Sequence, residues 1–299
     1  MSGEAFTTEI TLTGPARNPA QMLAHQSYDG HASVHDDATA MTLGLAGAPI
    51  EGPTHFSQFD PLAFTLWGQR WFEEGCISAH FQTMVVEGEQ VSASLTRMND
   101  SSARISADKP SGDVVLVGTA SVGPEHGTTE TDSRLARRPP DEPFHILDRL
   151  ELGMRTDAGD QVMHFDGDNG HLYPFSLGDK LTRITEPHPW YLGPSPWGAP
   201  VVPFEMISVL AYRRSTGFPV RTPSVGLFLD LEVRMVVGPV LVGMPYRVVH
   251  ELVALGQTRR TESYWTRTTL TNAESGTLTA VVTLHQGVFK DSFPGYPSP

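Results

Sequence analysis

Cysteine is nearly absent. Cys76 stands alone in 299 residues, which excludes an intrachain disulfide and any metal site built on several thiolates, and fits a reducing, cytoplasmic setting. Basic clusters are equally scarce, none longer than Arg137-Arg138 or Arg213-Arg214 in a chain of net charge −13. Nothing here neutralises a run of phosphates, so nucleic acid is not an expected partner. A multiply phosphorylated ligand such as coenzyme A would have to rely on a few local cations. No apolar run approaches the roughly eighteen residues of a membrane helix, and Glu4 and Glu9 stand where an export signal needs a basic start and an apolar run. The chain therefore reads as soluble, with no membrane partner. A Gly-rich phosphate loop after a strand and a Gly-x-Ser-x-Gly elbow are both missing, which removes nucleotide-binding and serine-hydrolase readings. Among the histidines, His31 and His35 are four apart, but no acidic residue completes a ligand set, so neither metal nor cofactor is expected.

What is present is a globular chain, 39% hydrophobic and 18% charged, long enough for two compact units. Residues 38–45 have helical character. From 54 to 74, Phe56, Phe59, Ala63, Leu66, Trp67 and Phe72 recur at spacings of three and four, the stripe of a long helix, with Pro61 predicting a break near Asp60. Beyond Gly75 the period changes to two: Ile77, Ala79, Phe81, then Val91, Ala93, Leu95, with further strands over 103–107 and 114–122. Residues 123–143 carry no period and read as a linker. The order then repeats, with an irregular stretch to Pro203, a helix over 204–214 and strands over 226–236, 246–255, 261–271 and 277–286. Gly47-Ala48-Pro49-Ile50 before the first helix is echoed by Gly198-Ala199-Pro200-Val201 before the second, and Val85-Val86-Glu87-Gly88 by Val240-Leu241-Val242-Gly243. A duplication follows: domains 1–125 and 146–299, joined by a linker at 126–145.

The stretch Ala32-Ser33-Val34-His35-Asp36-Asp37-Ala38, followed by Gly47-Ala48-Pro49-Ile50-Glu51-Gly52, resembles the MaoC-like dehydratases and R-specific enoyl-CoA hydratases. Their pattern is Asp-x-Asn-Pro-aliphatic-His, a short helix, then Gly-x-Pro-Ile-x-His-Gly opening a long helix. The resemblance implies an α+β double hotdog, each half a curled antiparallel sheet wrapped around a long central helix. It also implies a hydro-lyase that adds or removes water next to a carbonyl, with a small-molecule substrate of the acyl-CoA thioester kind. Hotdogs work in pairs, which the two halves supply within one chain; a further homodimer is left open.

His35 falls on the family histidine. The family aspartate position holds Gly30, with Asp29 one residue away, and the histidine of the His-Gly turn is replaced by Glu51. The second half echoes the motif as Glu186-Pro187-His188-Pro189-Trp190-Tyr191, with Tyr191 at the histidine position. The chemistry needs a carboxylate and an imidazole to manage the proton, and free backbone amides at the helix start to polarise the carbonyl. The candidates are therefore His35 as proton donor or acceptor, Asp29 or Glu51 as carboxylate, and the backbone at Gly52 to His55 as carbonyl donors. Asp36 and Asp37 read as helix caps. Glu51 and His55, four apart, are placed to pair. Trp190, Tyr191 and Trp197 form either an aromatic wall for a ligand or a cap on the core. Two other readings stand beside the hydro-lyase. One is a hotdog cyclase or isomerase acting on a small molecule without coenzyme A, as in natural-product pathways; the other is a ligand-binding protein that has lost the catalytic pair. The catalytic reading rests on two separate helix-in-sheet units whose glycine-proline turns face a cavity.

Overall fold

The structure is a computed structural model describing residues 9–28, 30–137 and 143–297. Its strands are β1 (Thr11–Thr13), β2 (Gly75–Phe81), β3 (Ser92–Arg97), β4 (Ser102–Asp108) and β5 (Val114–Val122) in the first half. The second half holds β6 (Arg155–Val162), β7 (Gly226–Met235), β8 (Pro245–Gln257), β9 (Thr261–Asn272) and β10 (Leu278–Phe289). The helices are α1 (Asp37–Thr42), α2 (Asp60–Trp67), α3 (Arg70–Glu74), α4 (Glu130–Leu135), α5 (Leu177–Leu181), α6 (Pro189–Leu192) and α7 (Phe204–Tyr212), with a 3-10 helix at Gly52–Gln58.

The strands pair antiparallel in one sheet of order β1-β3-β4-β5-β2-β7-β10-β9-β8-β6. Read outward from the β2–β7 junction, both halves run in the same order, so the repeat seen in the sequence is a repeat of topology. The glycine-proline echo is structural too. Pro49 bridges Val86 and Val201 bridges Leu241, so each turn is held by its own half's Val-rich segment, with the second turn shifted by one residue against the sequence echo, since Ile50 N bonds Val85 O where Val202 N bonds Val240 O. Two expectations are corrected. The half-sheets are not separate, because β2 and β7 join them edge to edge through Cys76↔Arg234 to His80↔Asp230. Nor is there one long central helix in the first half: Pro53 lies in the first turn of the 3-10 helix, Pro61 in the first turn of α2, and Gly68 at φ 58° ends α2. The helix of the second half, α7, stops at Tyr212, two residues short of the expected end.

Leu231, Val233 and Met235 of β7 pack into the main core while the intervening Asp230, Glu232 and Arg234 lie on the other face. That face carries α4, which lies inside the stretch expected to be an unpatterned linker. Its sequence signal is the capping box between Thr129 and Asp132. Ser78 bonds Thr131 at 2.8 Å, and Arg134 meets the fully buried Asp230 at 2.6 Å. Burial pushes the Asp230 carboxyl up, but hydrogen bonds from His285 and His80, with Arg134, pull it down to about 2. The edge strands β1 and β6 were not foreseen, because they alternate among exposed polar residues rather than apolar ones.

The sheet is tight where β5 crosses β2. A Cβ on Gly118 would lie 2.0 Å from the Ser78 carbonyl oxygen. Gly118→Ala is therefore expected to cost about 1–3 kcal/mol, read as a lower urea midpoint of unfolding; an unchanged midpoint would contradict the close approach.

Candidate active site

The site grows from the first glycine-proline turn. Asp36 caps α1 by accepting from Thr39 N at 2.8 Å, and Asp37 Oδ1 accepts from Ala48 N at 2.8 Å, which ties the turn back onto the helix. On its other side Ile50 N donates to Val85 O at 2.7 Å. The Pro49 carbonyl is thereby fixed, and it accepts from Gln21 Nε2 and from His35 Nδ1, each at 2.6 Å. A carbonyl oxygen only accepts, so Nδ1 of His35 carries the proton and Nε2 keeps its lone pair. Burial lowers the His35 pKa to about 4, so near neutrality the ring is an uncharged base.

His35, Glu51, Gly52 and His55 all line one cavity of about 170 Å³, to which the second half contributes Leu227, Phe228, Leu229 and Gln286. Glu51 is 7% exposed and its Oε1 has no hydrogen-bond partner. Burial raises its pKa to about 7, with Lys180 opposing and Glu205 reinforcing. Gly52 opens the 3-10 helix, and a Cβ there would meet the Phe81 ring at 2.8 Å, so the close approach of the turn to Phe81 calls for glycine. Its amide precedes the first helical hydrogen bond, as do all amides at a helix start.

Behind the cavity lies a buried polar cluster that the sequence did not announce. Lys180, from α5 of the second half, donates to Thr54 Oγ1 at 2.9 Å and lies 3.5 Å from Glu205. Both residues are almost fully buried. Glu205 sits in the first turn of α7, desolvated rather than facing water. His55 is 2% exposed, and burial, with Lys180 and Lys109, lowers its pKa to about 4. The spacing that suggested a Glu51–His55 pair gives no hydrogen bond, and His55 Nδ1 is without a partner. No hydrogen bond joins His35 to Glu51 either; they share a cavity instead.

The other candidates divide. Asp29 lies outside the described residues. Trp190, Tyr191 and Trp197 do not line this cavity; they pack on the core, and the aromatic-wall reading is corrected accordingly. Trp190 sits 5.4 Å from Phe64 and 5.3 Å from Trp197, and Phe72 meets all three at 5.5 to 6.4 Å. Phe64 and Phe72 come from the first half, so the apolar partners these rings needed were invisible locally. The Tyr191 hydroxyl donates to the buried Asp60 at 2.6 Å, which also accepts from Trp71 Nε1 at 2.9 Å. Glu186 pairs with Arg17. The second motif echo thus fastens the two halves together, and the turn at Gly198-Ala199-Pro200-Val201 is not part of the cavity lining. The expected basis for catalysis, two separate units with both turns at a cavity, is therefore corrected: the sheet is continuous and only the first turn faces the cavity, so the site rests on that turn alone. Residues that sequence reasoning missed are Tyr28, Tyr173, Phe228 and Gln286 in the lining and Lys180 behind it.

No protein-family model matches the chain, and no curated protein sequence is similar to it. Its fold is similar to that of a protein from Chloroflexus aurantiacus described as a candidate MaoC domain dehydratase, at 14% identity, covering 95% of each chain with a TM-score of 0.53. It is similar to that of a conserved hypothetical protein of Mycobacterium tuberculosis described as having a double hotdog fold, at 10% identity over 95% of this chain and 97% of that one, with a TM-score of 0.58. A protein described as a MaoC-like dehydratase gives 11% identity over 93% and 96%, with a TM-score of 0.50. This chain has a double hotdog fold, the architecture described for the Mycobacterium tuberculosis protein.

Proposed function

We propose that the chain is a hydro-lyase that removes water from, or adds it to, a compound carrying a carbonyl next to the reacting carbons, with His35 and Glu51 as its proton-handling pair. The observation that carries this reading is one cavity holding an uncharged imidazole with a bare Nε2 and a buried carboxyl titrating near neutrality. In the dehydration direction His35 Nε2 takes the proton from the carbon beside the carbonyl. The protonated Glu51 gives its proton to the β-hydroxyl, the carbon–oxygen bond breaks, water leaves and the carbon–carbon double bond forms. The amides at the start of the 3-10 helix, from Gly52, donate to the carbonyl oxygen as charge builds on it. Glu51 takes the carboxylate role that the motif places at Gly30. The dehydratase descriptions of two proteins of like fold agree with this reaction.

The reading is tested by mixing the purified protein with 2-enoyl thioesters and following the loss of conjugated-enoyl absorbance. Hydration is expected; no turnover across coenzyme A and N-acetylcysteamine esters overturns it. The described lining of the cavity includes no Lys or Arg, which favours a second reading in which the substrate is not carried by coenzyme A. Equal rates on the two kinds of ester would support that version.

Lys180 supplies a further expectation. As the buried cation restraining Glu51, its loss in Lys180→Met should raise the Glu51 pKa above about 7. The alkaline limb of dehydration then moves to higher pH, because Glu51 stays protonated for longer; a limb that moves down or stays in place would contradict the arrangement.

A further inference from the structure

A second cavity, of about 130 Å³, adjoins the first, and Tyr28, Tyr173, Gly226, Phe228 and Gln286 line both. Its remaining wall is rich in polar groups, including Tyr212, Tyr264, His31 and Ser224, with Ser215 and Arg214 at an exposed rim. Burial raises the pKa of Tyr28, Tyr212 and Tyr264, so these phenols stay protonated.

Gln286 sits at the junction. It follows a register shift between His285 and Gln286 in the β7–β10 pairing, and it lines the second cavity together with Leu284. The Tyr264 hydroxyl donates to Gln286 Oε1 at 2.7 Å, which fixes the amide with its oxygen toward Tyr264. Nε2 then lies against Gly226, which lines both cavities, and no hydrogen bond to a described residue uses it. Space above that nitrogen depends on Gly226: a Cβ there would come within 2.8 Å of Nε2.

We propose that a single substrate occupies both cavities, its reacting carbons at Glu51 and His35 and an oxygen-bearing tail running past Tyr28 into the second cavity, where Gln286 Nε2 donates to the tail oxygen. Gln286 is then a specificity-determining residue, and Tyr264 the positioning residue that sets its amide. The proposal rests on the hydro-lyase reading only for which end of the substrate lies at Glu51. A plain hydrocarbon tail fills the same space but leaves the amide unpaired, and a site built to donate a hydrogen bond discriminates against a ligand that cannot accept it.

The test is equilibrium binding of unreactive thioesters, so that it does not depend on turnover. The probes are the N-acetylcysteamine thioesters of butanoic, undecanoic and phenoxyhexanoic acids, titrated against the wild type, Gln286→Leu and Tyr264→Phe. The wild type is expected to bind the phenoxyhexanoyl ester about five- to tenfold more tightly than the undecanoyl ester, the effect of one neutral hydrogen bond, and the butanoyl ester more weakly than both. Gln286→Leu should abolish the preference for oxygen, and Tyr264→Phe should reduce it by freeing the amide. Equal wild-type affinity for the two long esters, or a Gln286→Leu loss that is the same for both, overturns the proposal. Binding as expected with no hydration of any enoyl ester would sink the hydro-lyase reading and leave the two-cavity assignment standing.

Discussion

Glu51→Gln is expected to lower turnover by about two to four orders of magnitude, the range for a lost acid–base group, and to erase the alkaline limb of kcat/KM for dehydration. The amide keeps the size of the carboxyl but has no acidic proton to give. In the wild type, burial holds the Glu51 pKa at about 7. Below that value the residue is the acid that dehydration needs, and above it the protonated fraction falls about tenfold per pH unit. Activity in this direction is therefore lost as pH rises through about 7. A variant that keeps wild-type turnover, or keeps the limb, removes Glu51 from the reaction.

His35→Ala should cost a comparable two to four orders of magnitude, with a different pH signature. Desolvation lowers the His35 pKa to about 4, although its bond to Pro49 pulls the other way. The imidazole is therefore already the free base throughout the neutral range, and its own limb is an acid one: activity rises through about pH 4 and gains nothing from His35 above it. Pro49 O keeps its hydrogen bond from Gln21 in the variant, so the turn is not left without a partner. A circular dichroism spectrum like that of the wild type, with activity gone, separates lost chemistry from lost fold. Unchanged turnover removes the proposed pair.

Much of the fold was legible because it is written in local periods. Ile77 and Ala79, or Val91, Ala93 and Leu95, alternate along the sequence, and each strand was found near its true position, although only β3 buries one face while β2 is covered on both. The glycine-proline turns were visible as an echo, and both are bridged to their own half's Val-rich segment, one residue further along in the second turn. The edge strands and α4 escaped because their stability comes from partners far along the chain, Thr96 for Thr11 and Asp230 for Arg134. The same limit shaped the site. His35, Glu51, Gly52 and His55 lie within one motif and share one cavity. Gln286 and Lys180 reach the site only through the sheet and the packing of the second half, and nothing around them in the sequence marks them. Trp190, Tyr191 and Trp197 mislead for the converse reason: a cluster of rings beside prolines looks like an open wall until Phe64, Phe72 and Asp60 arrive from the other half to cover it. His188, between them, is half-buried and lies 5.2 Å from Phe64 in the same cluster.

The central claim is that a protonated carboxyl at Glu51 persists to neutrality beside an uncharged His35. Infrared difference spectra of wild type minus Glu51→Gln, recorded across pH, read that carboxyl directly through its C=O stretch. The account predicts a protonated-carboxyl band that is strong at about pH 5 and half gone at about pH 7. A band already lost near pH 5, the ordinary carboxylate range, would contradict it.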